Sequence, residues 1–451
     1  MKLKELQINS LYNSYDYNVN FNSDVTLLYG SNGCGKTTIL NIIANIITGD
    51  IYKLFEYKFD SINLSYYKCN YSNEINSIVI ESKNPSLMKL KFEDRVEMIQ
   101  RFINNFEDDY QYDIKRRYFE EYPILKEIMN TFNYVYLPLD RNNYMDFKND
   151  RMLYRHIKNR VYKERSALKN NNIDIPMIHV EELIGEYCAR MNSKISKIND
   201  DFRNELLKSS LNVNKNYEIV KIANQIRQEL PSEYDIRKTQ KAYIKILNEI
   251  NLINEEEEKQ YNKFFEDFIK ELNENKYDSD ESVLLALLLR FSEVLQIRKV
   301  VELAESMENK KAKVREPLET FLKTINEFID MDDEEQKRID IDIEGRIYFT
   351  TAISKKTISV QHLSSGEKQI LTFFSNLIFE INSGKTGIFV VDEPELSLHL
   401  AWQKIFIKKT LEINKNIQLI FATHSPEIVS NYINKTYRLV KKHTENIEGE
   451  K

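Results

Sequence analysis

Gly30-Ser31-Asn32-Gly33-Cys34-Gly35-Lys36-Thr37 stands between two segments of opposite texture. Before it runs Val25-Thr26-Leu27-Leu28-Tyr29, a β-prone apolar stretch; after it, Ile39, Leu40, Ile42, Ile43 and Ile46 recur at helical spacing. The octapeptide satisfies the pattern GxxxxGK(S/T) in full, in the strand–loop–helix setting that the pattern requires. Glycines let successive backbone N–H groups curl around phosphate oxygens, and the helix N-terminus adds partial positive charge at the same point. Gly30, Ser31, Asn32, Gly33, Cys34, Gly35, Lys36, Thr37 and Thr38 are therefore the candidate phosphate-binding set. Lys36 is expected to neutralise β- and γ-oxygens and the Thr37 hydroxyl to hold Mg2+, which makes ATP and Mg2+ the implied cofactors.

A second stretch completes the chemistry. Ile388-Phe389-Val390-Val391-Asp392-Glu393 is four apolar residues ending in two carboxylates. A buried parallel strand delivers both acids at its carboxyl end, where ligands bind in such sheets. Asp392 is the expected metal ligand beside Thr37, and Glu393 the expected general base for an attacking water. Ala422-Thr423-His424-Ser425 ends the next predicted strand, so His424 is placed to reach a γ-phosphate. Upstream, Ser364-Ser365-Gly366 opens a helix and offers N–H donors and hydroxyls to a phosphate. Ser364 followed by Glu367 also fits a capping box, and the two readings are compatible.

Taken in order, GSNGCGKT, LSSGEKQ, IFVVDEPELSLH and ATHSPE resemble the head of an ABC-type ATPase, and more narrowly the SMC/RecF/OLD-like branch. The resemblance implies an α/β fold: an ABC-ATPase head with a mostly parallel sheet, N-terminal antiparallel strands and a large all-helical insertion. It implies that Ser364, Ser365 and Gly366 bind the γ-phosphate held by a second subunit, that Leu396-Ser397-Leu398-His399 lies across the dimer interface, and that His424 is the switch histidine. Two positions depart from the family pattern. Cys34 fills a place usually held by a small or polar residue, where only backbone is needed. The segment Leu137 to Asn142, where the glutamine lid is expected, has no glutamine.

More than 300 residues separate Lys36 from Ser364. Polar stretches with apolar residues at three- and four-residue spacing fill that gap, punctuated by Pro176, Pro231 and Pro317. The predicted organisation is residues 1–144 as the first part of the head, 145–330 as a helical insertion for oligomerisation or partner contact, and 331–451 as the second part. Helix is predicted from Asp94 to Met129 with a break at Pro123, and a buried helix over Val283 to Ile297. Within the insertion, Arg151, Arg155, Lys158 and Arg165 fall on one side of a predicted helix and could face nucleic acid or an acidic partner.

The whole-chain balance excludes several classes. With 64 Lys+Arg against 70 Asp+Glu, the 451-residue chain is no basic nucleic-acid coat. Cys34, Cys69 and Cys188 have neither zinc nor disulfide-framework spacing, and the N-terminus has no apolar signal core, so a cytoplasmic home without a membrane span is expected. The six histidines are scattered and few residues follow His424, so any nuclease is expected on a separate chain. The resemblance then extends to the nuclease-less ATPase subunits of phage-defence systems such as Septu and PARIS. It implies a homo-oligomer, with at least an ATP-dependent head dimer, controlling a separate effector nuclease or toxin. The alternative is a RecF/SMC-like ATPase acting directly on DNA; a transporter ATPase fits less well because of the SSGEKQ variant and the long insertion.

Overall fold

The computed structural model describes residues 1–68, 74–102, 111–137, 174–210, 232–249, 253–274, 281–330, 337–342, 344–351, 357–381 and 387–443. The strand preceding the glycine-rich loop, β3 (Val25–Tyr29), belongs to a five-stranded sheet. Its partners are β8 (Tyr134–Leu137), β12 (Gly387–Asp392), β13 (Ile417–Thr423) and β14 (Thr436–Arg438), in the order β14-β3-β13-β12-β8, and every pair is parallel. Such a sheet is covered on both faces, which is why β12 and β13 read as continuous apolar runs and are buried throughout.

Strand alternation divides these side chains between two cores. Leu28, Ile388, Val390, Ile420 and Ala422 face one core, shared with Ile39, Leu40, Ile43 and Ile46 of helix α1 (Lys36–Ile47). Val25, Leu27, Phe389, Val391, Leu419 and Phe421 face the other. There they meet Phe373 of α8 (Ser365–Ser375) and Phe406 of α9 (Leu400–Ile413); the Phe373 ring lies 4.8 Å from Phe389 and 4.4 Å from Phe406.

The far side of α1 is roofed by a seven-stranded antiparallel sheet. It is ordered β15-β2-β1-β4-β5-β6-β7, from β1 (Lys2–Leu11), β2 (Tyr15–Asn20), β4 (Ser61–Tyr67), β5 (Ile75–Asn84), β6 (Leu87–Phe92), β7 (Arg95–Gln100) and β15 (Lys442–His443). The first strand of this roof is bolted to the parallel sheet by one buried side chain. Gln418 accepts the Leu3 N–H at 2.7 Å and donates to the carbonyls of Leu3 and Asn22, each at 2.8 Å.

Three expectations require correction. Residues 95–100 are the edge strand β7, not helix, and helix begins only with α2 (Gln111–Glu121), followed after the expected break by α3 (Pro123–Thr131). Val96, Met98 and Ile99 suit either period. The turn at Glu93, φ 52°, returns the chain onto β6, where Ile99 pairs with Met88 and is buried. Pro317 does not end a helix: α7 (Glu281–Ile329) runs through it, losing one N–H donor. Within α7, the part of the predicted buried run from residue 289 to 297 is not wholly buried, since Phe291 and Val294 are covered but Leu289 is 56% exposed.

The chain forms two compact units, Met1–Cys188 with Pro317–Lys451, and Ala189–Glu316. Of the segment expected to be insertion, the described residues 174–188 and 317–330 fall in the first unit. Met177, Val180 and Ile184 of α4 (Ile175–Ser210), and Phe321, Ile325 and Phe328 of α7, belong to the same core as Phe389. Helical spacing shows that a helix has an apolar face, but not which body that face packs on. A small three-stranded sheet, β9 (Lys337–Ile341), β10 (Ile347–Thr351) and β11 (Thr357–Ile358), leads into α8. The second unit has its own core, where Ile236 of α5 (Glu233–Glu249) meets Phe265, Phe268 and Leu272 of α6 (Glu255–Glu274) and Phe291 of α7. Four glutamates open α6, complementing the positive end of its dipole. Among the described residues no helix is long and apolar enough to cross a membrane.

Gln418→Leu leaves an N–H and two carbonyls without their partner. It should cost about 3 kcal/mol, read as a lower urea midpoint at unchanged slope.

Candidate functional site

Register decides what meets at the sheet's carboxyl edge. Thr423 pairs with Tyr29, and Asp392 with Ala422, so the strands carrying the glycine-rich loop, His424 and Asp392 end level with one another. Alternation then decides direction. Asp392 has the parity of Ile388 and Val390, hence the face of α1 and not that of the phenylalanines.

The loop between β3 and α1 is built by backbone freedom and by contacts from the roof. Gly33 and Gly35 have φ of 75° and 101°. A Cβ at Gly35 would lie 2.9 Å from the Tyr17 hydroxyl, and that hydroxyl donates to the Cys34 carbonyl at 3.0 Å. Burial pushes the Tyr17 phenol up to about 12, so it remains a donor at neutral pH. Lys36 is buried and donates to the carbonyls of Gly30 (3.1 Å) and Ser31 (3.4 Å). α1 begins with neither a side-chain cap nor an acidic residue in its first turn. Its first N–H groups, near Thr37 and Thr38, are thus left to an anion. α8, α9 and α10 (Pro426–Ser430) differ: each receives a side-chain cap, from Ser364, His399 and Ser425 respectively.

Asp392 is 1% exposed, and neither carboxylate oxygen completes a hydrogen bond. Burial raises its pKa above the ordinary carboxylate value, and Glu393 and Glu395 add to the rise; the Thr37 hydroxyl and Lys36 oppose it. Two buried orphan oxygens beside a threonine hydroxyl are hard donors suited to magnesium, a cation that takes few protein ligands and keeps waters and phosphates as the rest. The donor set thus fits the ion expected at Thr37 and Asp392.

Glu393 has φ 45°, a left-handed conformation that costs a non-glycine residue strain. Its N–H bonds the Ala422 carbonyl at 2.8 Å, and its carboxylate lies 3.9 Å from His424 Nε2. The two residues expected to act on the terminal phosphate and water are thus neighbours. Two features went unread in the sequence. Glu395 accepts the N–H of His424 (2.5 Å) and of Ser425 (3.1 Å). Gln403 donates to Leu398 O at 2.9 Å and accepts from Ser425 Oγ at 2.6 Å. Gln403 is a buried polar residue in a mostly apolar helix face, a signal the sequence did carry.

Ser364, Ser365 and Gly366 open α8 as a capping box: the Ser364 hydroxyl accepts from the Glu367 N–H (3.2 Å), and Glu367 accepts from the Ser364 N–H (2.7 Å). Gly366 is required by crowding, since a Cβ there would lie 2.5 Å from the Ser397 carbonyl. The loop Leu396 to His399 exposes Leu396 and buries Leu398. The lid segment from Pro138 to Asn142, and the basic residues Arg151, Arg155, Lys158 and Arg165, lie outside the described residues.

Replacing Asp392 by Asn removes a buried charge whose desolvation the Thr37 hydroxyl and Lys36 offset only in part. In EDTA the variant should be more stable than wild type by about 1 kcal/mol. The extra thermal stabilisation that Mg2+ adds to ATP should vanish. Calorimetry with and without Mg2+ reads both.

A family model described as AAA ATPase domain matches residues 1–429. A Vibrio cholerae protein named retron Vc95 probable ATPase is 22% identical over 436 residues, spanning 92% of this chain and 69% of that protein. An Escherichia coli protein named retron Ec83 probable ATPase is 38% identical over 81 residues, 16% of this chain and 15% of the relative's length. A solved Smc head domain with an extended coiled coil, from Pyrococcus furiosus, is similar at TM-score 0.41 and 13% identity, covering 98% of this chain and 96% of that one. With nearly its full length matched by that model, the chain belongs to the AAA ATPase domain family.

Proposed function

We propose that the carboxyl edge of the parallel sheet binds Mg2+-ATP and hydrolyses it to ADP and phosphate. The supporting observation is the unpartnered, buried Asp392 carboxylate beside Thr37, level with the uncapped start of α1. The N–H groups of residues 30–37 cradle the β- and γ-phosphates, and Lys36 leaves the Gly30 and Ser31 carbonyls to pair with their oxygens. Mg2+ held by Thr37 and Asp392 would offset the phosphate charge that grows in the transition state. Glu393 orients the attacking water and takes its proton. His424 donates to the γ-phosphate and keeps Glu393 facing it.

The second part of the reading concerns assembly. Ser364, Ser365 and Gly366 meet the γ-phosphate bound by another copy, so two heads close around two ATP molecules. The exposed Leu396 and Leu400 flank the loop that would face the other head. The engaged dimer acts as the sensor and scaffold of a phage-defence complex and controls a separate effector, nuclease or toxin. The two relatives named as retron probable ATPases support a role within a multi-component system. The helical unit is the partner-contacting part.

Glu393→Gln should keep ATP affinity and lower turnover by roughly 10²–10⁴; wild-type turnover in this variant refutes the base assignment. Lys36→Ala should weaken ATP binding itself, measured by calorimetry. Ser364→Asp separates cap from ligand. Aspartate caps a helix as well as serine does, so stability should hold, whereas a carboxylate against a phosphate should abolish ATP-driven dimerisation of the Glu393→Gln chain, read by light scattering. The purified chain with Mg2+-ATP should leave DNA intact, and cleavage or toxicity should require a co-expressed neighbouring gene product. Metal-dependent cleavage by the chain alone points instead to direct action on DNA.

A further inference from the structure

The loop after β12 does more than present Glu393. Within seven residues it makes side-chain or close backbone contacts with three other elements. Glu395 holds the N–H groups of His424 and Ser425 with a single oxygen, Oε1, at 2.5 and 3.1 Å. Its other oxygen is buried with no hydrogen-bond partner. Gln403, at the start of α9, joins the Leu398 carbonyl to the Ser425 hydroxyl. Gln369 of α8, also buried, donates to the Pro394 carbonyl, while Gly366 lets α8 approach Ser397. Ser425 in turn caps α10 through the Ile428 N–H at 3.3 Å.

His424 sits just past the end of β13, beyond the last residue that the sheet register fixes. Its backbone direction is therefore not set by the ladder. An anion on the neighbouring loop holds the His424 N–H through a short, directional charge-assisted bond, and shares the Ser425 N–H with the Thr423 hydroxyl at 3.0 Å. Glu393 belongs to that same loop, only two residues away. The carboxylate that aims the histidine is thus two residues from the carboxylate that the histidine faces at 3.9 Å.

We propose that Glu395 is a positioning residue for the ATPase reaction. It fixes the His424 backbone relative to Glu393, in a loop that Gln369 of α8 and Gln403 of α9 brace at Pro394 and Leu398. The inference rests on the reading of His424 as the residue that meets the γ-phosphate. Glu395 need not touch nucleotide; it acts through His424.

A double-mutant cycle on the full chain tests this, using Glu395→Ala, Glu395→Gln and His424→Ala, singly and combined. ATP affinity is measured by calorimetry and kcat by phosphate release. Glu395→Ala should lower kcat about 30-fold, the worth of aiming through two charge-assisted bonds, and leave ATP affinity within about twofold, since the loop 30–37 that carries most of the phosphate contacts is untouched. Glu395→Gln keeps an acceptor oxygen, so it should fold even if the alanine variant does not, and should show the same pattern with a smaller loss. In the His424→Ala background neither change should lower kcat further. Additive losses in that background, or a fall in ATP affinity matching the fall in kcat, overturn the proposal while leaving the nucleotide site intact. Wild-type kcat in His424→Ala alone removes the role assigned to His424, and the proposal with it.

Discussion

A parallel strand ends in a carboxylate that the fold buries and gives no hydrogen bond, and the rest of the head is arranged around that constraint. Asp392 is there because β12 lies beside β13 in register, and it points toward α1 because strand side chains alternate. An apolar residue in its place would suit the core on that face. A buried carboxylate only partly compensated by a threonine hydroxyl and a lysine opposes folding, and a bound cation would offset that cost. The uncapped start of α1 is the complementary defect: donors without acceptors next to acceptors without donors. Magnesium and a triphosphate would satisfy both at once.

The head absorbs this strain by anchoring the site from both sides. From the roof, Tyr17 holds the Cys34 carbonyl and packs where a Cβ at Gly35 would stand. Gln418 ties the first strand of the roof to the third strand of the parallel sheet. From the opposite face, the phenylalanine cluster around Phe373 locks α8 and α9 against β12 and β13. The left-handed backbone at Glu393 and at Ser397, φ 45° and 71°, lies between these supports, in the loop that carries the chemistry. Strained residues persist where surrounding packing over-determines them.

The legible part of this design was what is local in sequence. Gly30 to Thr37 declares itself because the glycines, the lysine and the helix start are contiguous, and Ile388 to Glu393 because a fully covered parallel strand must be apolar throughout. The register that unites them was inferable only as a family property, since no residue pattern states which strand lies beside which. Arg95 to Gln100 carries no clear strand signal because an edge strand buries few residues and its alternation is faint; its partner β6 decides its state. Pro317 does not break α7 because packing of the helix on either side outweighs one lost donor. Glu395 was invisible because its role depends on backbone N–H groups 29 and 30 positions away in the chain. The limits of the helical unit could not be read from periodicity, because the helices that bound it are also walls of the head.

The central claim is that the loop 30–37, Asp392, Glu393 and His424 form one nucleotide site. A structure of the Glu393→Gln chain grown with ATP and Mg2+ tests it most directly. The account predicts the β- and γ-phosphates within the curl of residues 30–37 and the cation bound by both the Thr37 hydroxyl and the Asp392 carboxylate. Triphosphate seated elsewhere, or a cation that leaves Asp392 without a ligand, would contradict it.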